Sequence, residues 1–328
     1  MKRRVYSVCT PAQEWDLLGN SRRSFPSIGV MPLRAPQFAL WLLAASLLLQ
    51  LPAAAQEIGT VTLVEGSLGM IRGTAVLRAG EGVRLRQGDI IESSSGGFAQ
   101  LELAGGTIMA LGPSTRVLLL GRGAKTATEL VMLNGWLKGE TGPNAGTYCY
   151  ASPQLAATAR AGGVVVLQAS VDKADIFVES GSAGISKVSL QGSLANPEGA
   201  KAGQFFTRRG GRDIIINSRP DQAFIDAIPH AFRDTLPSRL SRFPKGVDPK
   251  PDHEVTYAEI QPWLTMGQSW RRGFVARFQP RLRDPDFRKA VEAHLNDHPE
   301  WDSALHPEND RTKTTPAAVE SPDAERRR

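Results

Sequence analysis

Phe98-Ala99-Gln100-Leu101-Glu102-Leu103-Ala104-Gly105-Gly106-Thr107-Ile108-Met109-Ala110-Leu111 is the stretch that decides the fold. Ala99, Leu101 and Leu103 alternate with Gln100 and Glu102, the period of two that a half-buried strand requires. Thr107, Met109 and Leu111 resume the alternation after Gly105-Gly106. Two such runs joined by paired glycines read as a hairpin, because glycine readily supplies positive φ.

Working outward, the same texture holds from Ile58 to about Leu120, where short apolar runs are punctuated by Gly66, Gly73 and Gly88. It continues from about Leu130 to Asn217 through Val164–Leu167, Ile176–Val178 and Ile214–Ile216. No helical period interrupts these runs, which predicts a mainly β fold of glycine-punctuated antiparallel strands, sandwich-like or solenoid-like. The texture changes at Pro220. Asp221–Ile228 reads as a short helix, and prolines at 237, 244, 249 and 251 read as a linker or an irregular wrap. Thr256 and Glu259 form a capping-box pattern. Asp284-Pro285 pairs a cap with a first-turn proline, opening a helix whose apolar face is Phe287, Ala290, Val291, His294 and Leu295 and which is expected to end near Asn296. The expected organisation is a β domain at 56–217, a small helical C-terminal region at 218–309 and a disordered polar tail at 310–328.

Ahead of the β domain, Arg34 precedes an apolar run from Phe38 to Leu49, which is followed by Ala53-Ala54-Ala55. A basic start, a short apolar stretch and an A-x-A site describe an export signal cleaved after Ala55. Ser46, Gln50 and Pro52 interrupt the span of roughly 20 apolar residues that a membrane helix needs. The signal proper is placed at 31–55, and Met31 offers a second start that would make residues 1–30 an upstream extension. The segment before residue 56 carries a net +4 of the chain's +6, so the remainder has only +2. That removes the basic field on which nucleic-acid binding depends. Cys149 would be the one thiol of the exported chain, and between Tyr148 and Tyr150 it is expected to lie buried in a strand.

Gly59-Thr60-Val61, Gly88-Asp89-Ile90-Ile91-Glu92-Ser93, Phe98 to Leu103, and Gly112-Pro113-Ser114-Thr115 with the run Val117 to Leu120 resemble the FecR domain, an exported module. Leu133-Asn134-Gly135-Trp136-Leu137, Val178-Glu179-Ser180-Gly181 and Ala202-Gly203-Gln204 resemble its later elements, so that roughly half the chain is covered. Gly105-Gly106 stands where that family more often has Asp-Gly. The resemblance implies a β module in the periplasm or at the cell surface that works by binding. The regulatory members relay a signal through a membrane helix to a sigma factor. Here the roughly 34 residues up to Arg34 are too few for a folded anti-sigma domain. An anchored relay with residues 1–55 uncleaved is the alternative, and only it would bring the protein to the membrane.

Motifs for catalysis fail on inspection, so the chain is not expected to be an enzyme or to need a cofactor. Gly121-Arg122-Gly123-Ala124-Lys125-Thr126 has Ala124 where a phosphate loop needs glycine. Gly267-Gln268-Ser269-Trp270 lacks the glycine at 271 that a nucleophile elbow requires. His294 and His298 are four apart, the spacing a metal-dependent hydrolase would use, but Pro299 follows and no H-E-x-x-H motif is present. No metal site is assigned. The candidate interaction surface is Trp270, Arg271, Arg272, Arg277 and Arg281, where arginines interleave with aromatics. Such a pattern suits an envelope protein or an anionic envelope polymer. The competing reading makes Trp270, Phe274 and Phe278 a packed helix face with the arginines turned outward.

Overall fold

A computed structural model describes residues 56–121 and 128–307. The signal segment at 31–55, positions 122–126 of the rejected phosphate-loop motif and the tail from 310 to 328 lie outside the described residues.

The protein is mainly β and antiparallel, with small helices toward its C-terminal end. The first half supplies β1 (Glu57–Glu65), β2 (Leu68–Arg72), β3 (Ala75–Ala79), β4 (Arg84–Arg86), β5 (Ile90–Ser93), β6 (Phe98–Leu103), β7 (Ile108–Leu111), β8 (Arg116–Leu119) and β9 (Leu130–Glu140). The second half supplies β10 (Thr147–Ala151), β11 (Leu155–Arg160), β12 (Val164–Ala169), β13 (Lys173–Ser180), β14 (Ser182–Lys187), β15 (Glu198–Lys201), β16 (Phe205–Arg209) and β17 (Ile215–Asn217). One sheet runs β4-β1-β6-β7-β9-β12-β13-β16-β17. The other runs β3-β2-β5-β8-β9-β10-β11-β14-β15, in which only the β9–β10 pair is parallel.

Strand β9 therefore belongs to both sheets. Its first half pairs with β8 and β10 and places Leu130 opposite Leu119 and Tyr150. Its second half pairs with β7 and β12 and places Leu137 opposite Leu111 and Leu167. The strand changes sheets at Gly135, where φ is +105. A Cβ there would lie 2.5 Å from the Thr115 Cα, so glycine answers both the backbone sign and the space. The buried Thr115 hydroxyl fixes the corner, accepting the Trp136 N–H at 2.9 Å and donating to the Trp136 carbonyl at 3.0 Å.

Between the sheets lies the main core, which includes Val61, Leu85, Leu101 and Met109 from one layer and Met70, Ile91, Val117 and Leu155 from the other. Each such side chain taken from water contributes about 1.5–3 kcal/mol before entropy is counted. The predicted hairpin is present, with β6 and β7 pairing Leu101 to Met109. Its reversal takes the short turn Ala104–Gly106, closed by the Leu103 N–H on the Thr107 carbonyl at 2.8 Å.

The expectation of half-buried strands needs correction, because the outer faces are covered too. Gln100 and Glu102 point away from the core as predicted, yet they are only 1% and 4% exposed. The chain at 236–239 lies over them. Glu102 accepts from the Ser238 hydroxyl and the Arg239 N–H, both at 2.6 Å, and Gln100 donates to the Pro237 carbonyl at 2.9 Å. Beside them Lys138 is fully buried and donates to the carbonyls of Phe232 and Asp234 and to Glu179. The expected short helix is present as α1 (Gln222–Ala227), capped by the Asp221 side chain, and seats Phe224 against Trp136 and Phe205. The second sheet carries an outer cluster of Ile71, Ile90, Leu118 and Val131 under the later helices. The proline-rich stretch also holds a strand that the sequence pattern does not reveal, β18 (Lys250–Glu254), paired with β3 at the sheet edge. All five of its side chains are exposed, and Pro251 sits where an edge tolerates proline.

Gly135→Val is expected to cost roughly 2–4 kcal/mol through forbidden φ and overlap with Thr115. Denaturant unfolding of the variant beside the parent measures it, and an unchanged midpoint would remove the corner from this description.

Candidate functional site

The region that follows β18 is built from short, well-capped helices. The predicted capping box is present: the Glu259 carboxylate accepts the Thr256 N–H at 2.8 Å, opening α2 (Tyr257–Leu264). Next come α3 (Gln268–Arg271) and α4 (Phe274–Phe278), separated at Gly273. Helix α5 (Pro285–Ala293) starts at Asp284, whose carboxylate accepts the N–H groups of Asp286 and Phe287. It ends at Ala293, three residues before the predicted stop, and a last short helix, α6, spans Asp302–Leu305.

Trp270, Phe274 and Phe278 are all buried against the outer face of the second sheet, with the two phenylalanine rings edge to face at 5.6 Å. The arginines between them do not all turn outward. Arg277 donates to three carbonyls, Gly73 at 2.8 Å, Gly88 at 2.7 Å and Ile71 at 2.8 Å, with its guanidinium over the Phe278 ring. Burial away from water pushes its pKa down to about 10, against the opposing pull of Asp89. Arg281 donates to the Val255 carbonyl and pairs with Asp284. Arg271 donates to the Met266 carbonyl and pairs with Glu300.

Arg272 is different. It is exposed, and among the described residues it has no hydrogen-bond or ion-pair partner. It stands at the edge of a groove of about 260 Å³ between this helical segment and the sheet. Leu118, Leu120, Trp270 and Phe274 give the groove apolar walls, and Gln87 and Gly88 also line it. Ser269 also lines it, but its hydroxyl is buried against Gly192 and without a hydrogen-bond partner among the described residues. The structure thus brings Trp270, Arg272 and Arg277 of the candidate surface to one groove. It turns Arg271 and Arg281 to other contacts.

Leu118 and Leu120 escape a sequence reading of the site, because the run from Val117 reads only as strand core. Alternate residues of that run do enter the core, while Leu118 faces the helices. Asp89 is likewise structural: its carboxylate accepts from Arg72 at 2.7 Å and 2.9 Å and from the Arg86 N–H at 2.7 Å, closing the turn after β4. Gly267 packs against the backbone of Gly192, which accounts for its place in the failed elbow motif.

The two spaced histidines do not share a helical face, because α5 stops before both. The His294 ring stacks on Tyr257 at 5.1 Å. His298 is buried, and desolvation, helped by the Arg271 charge, lowers its pKa. No group of three or more His, Cys, Asp or Glu side chains able to hold a metal ion occurs among the described residues. Cys149 lies buried in β10, and loss of water raises its thiol pKa to about 11. No helix among the described residues is long and apolar enough to cross a membrane.

No protein-family model matches the chain, and no curated protein matches it. The solved structures similar to it include two crystal structures, each of a "putative anti-sigma factor" from Parabacteroides distasonis ATCC 8503. The first is 13% identical over 42% of this chain with a TM-score of 0.34, and the match spans 62% of that chain. The second is 12% identical over 52% of this chain and 87% of its own, also at 0.34. At these values the likeness carries no argument about function.

Arg277→Ala strips three carbonyls of a charged donor and is expected to destabilise the protein by about 2–4 kcal/mol. Arg272→Ala removes no hydrogen bond or ion pair among the described residues and should stay within about 0.5 kcal/mol. Urea unfolding of the two variants distinguishes them, and equal losses would contradict the division.

Proposed function

We propose that this chain is an exported, non-catalytic module of the FecR type that works by binding in the periplasm or at the cell surface. Its binding element is the arginine–aromatic segment. The observation that carries the reading is the isolation of Arg272. Arg271, Arg277 and Arg281 are engaged by carbonyls and carboxylates of the fold. Arg272 alone of the four stays unpaired, beside an apolar groove. An exposed cation next to unfilled apolar surface is a feature of interaction sites and is not needed for packing.

Export is supported by the sequence of the first 55 residues, and binding without chemistry by the state of the reactive side chains. Cys149 is buried with its thiol pKa raised, His294 is stacked and His298 is packed. A partner with negative charge, protein or polymer, fits the free arginine.

A photoreactive amino acid placed at position 272 in cells tests this reading. The chain should fractionate with the envelope, carry an N-terminus at Gln56 and crosslink there to an envelope component. The same probe at the exposed Lys289 should capture far less. Retention in the cytoplasm, or equal capture from both positions, would contradict the proposal.

A further inference from the structure

We infer that the groove between α3, α4 and the β8 end binds a small amphiphilic anion, an acidic head group carrying a short unbranched apolar tail. The inference rests on the proposal that this segment is the binding element, and it names the chemistry that the segment accepts.

Three features of the groove converge on that class. Its walls are apolar, formed by Leu118, Leu120, Trp270 and Phe274, and at about 260 Å³ it is smaller than most sites for drug-sized ligands. A short tail fits this space.

The charge is one-sided. Arg272 stands exposed at the edge without a partner, and Arg277 meets the groove with a guanidinium bonded only to neutral carbonyls. The carboxylates nearby are engaged elsewhere, Asp89 by Arg72 and Glu300 by Arg271. An acidic head at Arg272 would therefore meet a cation with no ion-pair partner among the described residues.

Neither half of the ligand suffices alone. A hydrophilic anion leaves the walls wet, and a hydrocarbon leaves Arg272 unused. The head can be a carboxylate or a phosphate monoester, because both offer oxygens to a guanidinium.

The test is calorimetric titration of the purified chain with hexanoate, octanoate and decanoate below their micelle concentrations, with decyl phosphate and uncharged decanol alongside. Affinity should rise with tail length by up to about fourfold per methylene buried, until the groove is filled. Arg272→Ala should weaken decanoate about fivefold and leave decanol unchanged, while Arg272→Lys retains most of the binding. Tighter decyl phosphate than decanoate would point to a lipid-phosphate source, and the reverse to free fatty acids. Absence of binding, no dependence on tail length, decanol binding as tightly as decanoate, or an equal loss in Lys289→Ala would overturn the inference. Because the titration uses purified protein, failure here leaves the export and crosslinking results standing on their own.

Discussion

Everything in this fold depends on covering the outer faces of two sheets whose inner faces already form the core. Ile90 and Ile91 make the constraint visible: one turns into the cluster beneath the helices and the other into the core between the sheets. Both are fully buried. A strand with apolar residues on consecutive positions needs material on both sides, and the chain after residue 218 provides it. On one sheet the cover is a nearly irregular wrap pinned by Lys138, Glu102 and Glu140. On the other it is a set of short helices centred on Trp263, Trp301 and Phe278.

The two covers use different physics. The wrap sets Phe224, Phe232 and Leu236 into an apolar cluster on the sheet, and it also brings many backbone groups to satisfy, which the sheet meets with buried charge. Burying a lysine is costly unless its donors are engaged, and the three acceptors around the Lys138 ammonium meet that requirement. The helices satisfy their own backbones and present aromatics, so their cover is mainly apolar. Arg277 is a polar exception, and it reaches back to the strand and turn carbonyls at Ile71, Gly73 and Gly88.

Much of the fold was legible in the sequence. Alternation from Ala99 to Leu111 located a real hairpin, and the caps at Thr256 and Asp284 located real helix starts. These signals are local, with cause and effect within a few residues. What stayed hidden is long-range. Lys250–Glu254 has no strand pattern because its side chains are exposed and its place is set by a long-range ladder to β3. Gln100 and Glu102 read as solvent-facing, because nothing near them in sequence announces the segment at 236–239. The candidate surface was half legible. Spacing found the buried face of Trp270, Phe274 and Phe278, but it could not tell which arginine would find carbonyls. Only Arg272 falls where the helices break and the sheet leaves a groove.

The most direct test of this account is to end the chain at Asn217 and compare residues 56–217 with residues 56–307 in thermal unfolding and hydrophobic-dye binding. If the C-terminal chain is the outer layer of the β fold, the shorter protein should lose cooperative unfolding and bind dye strongly, because its outer clusters meet water. A shorter protein that unfolds as sharply as the longer one, at the same temperature and without dye binding, would contradict it.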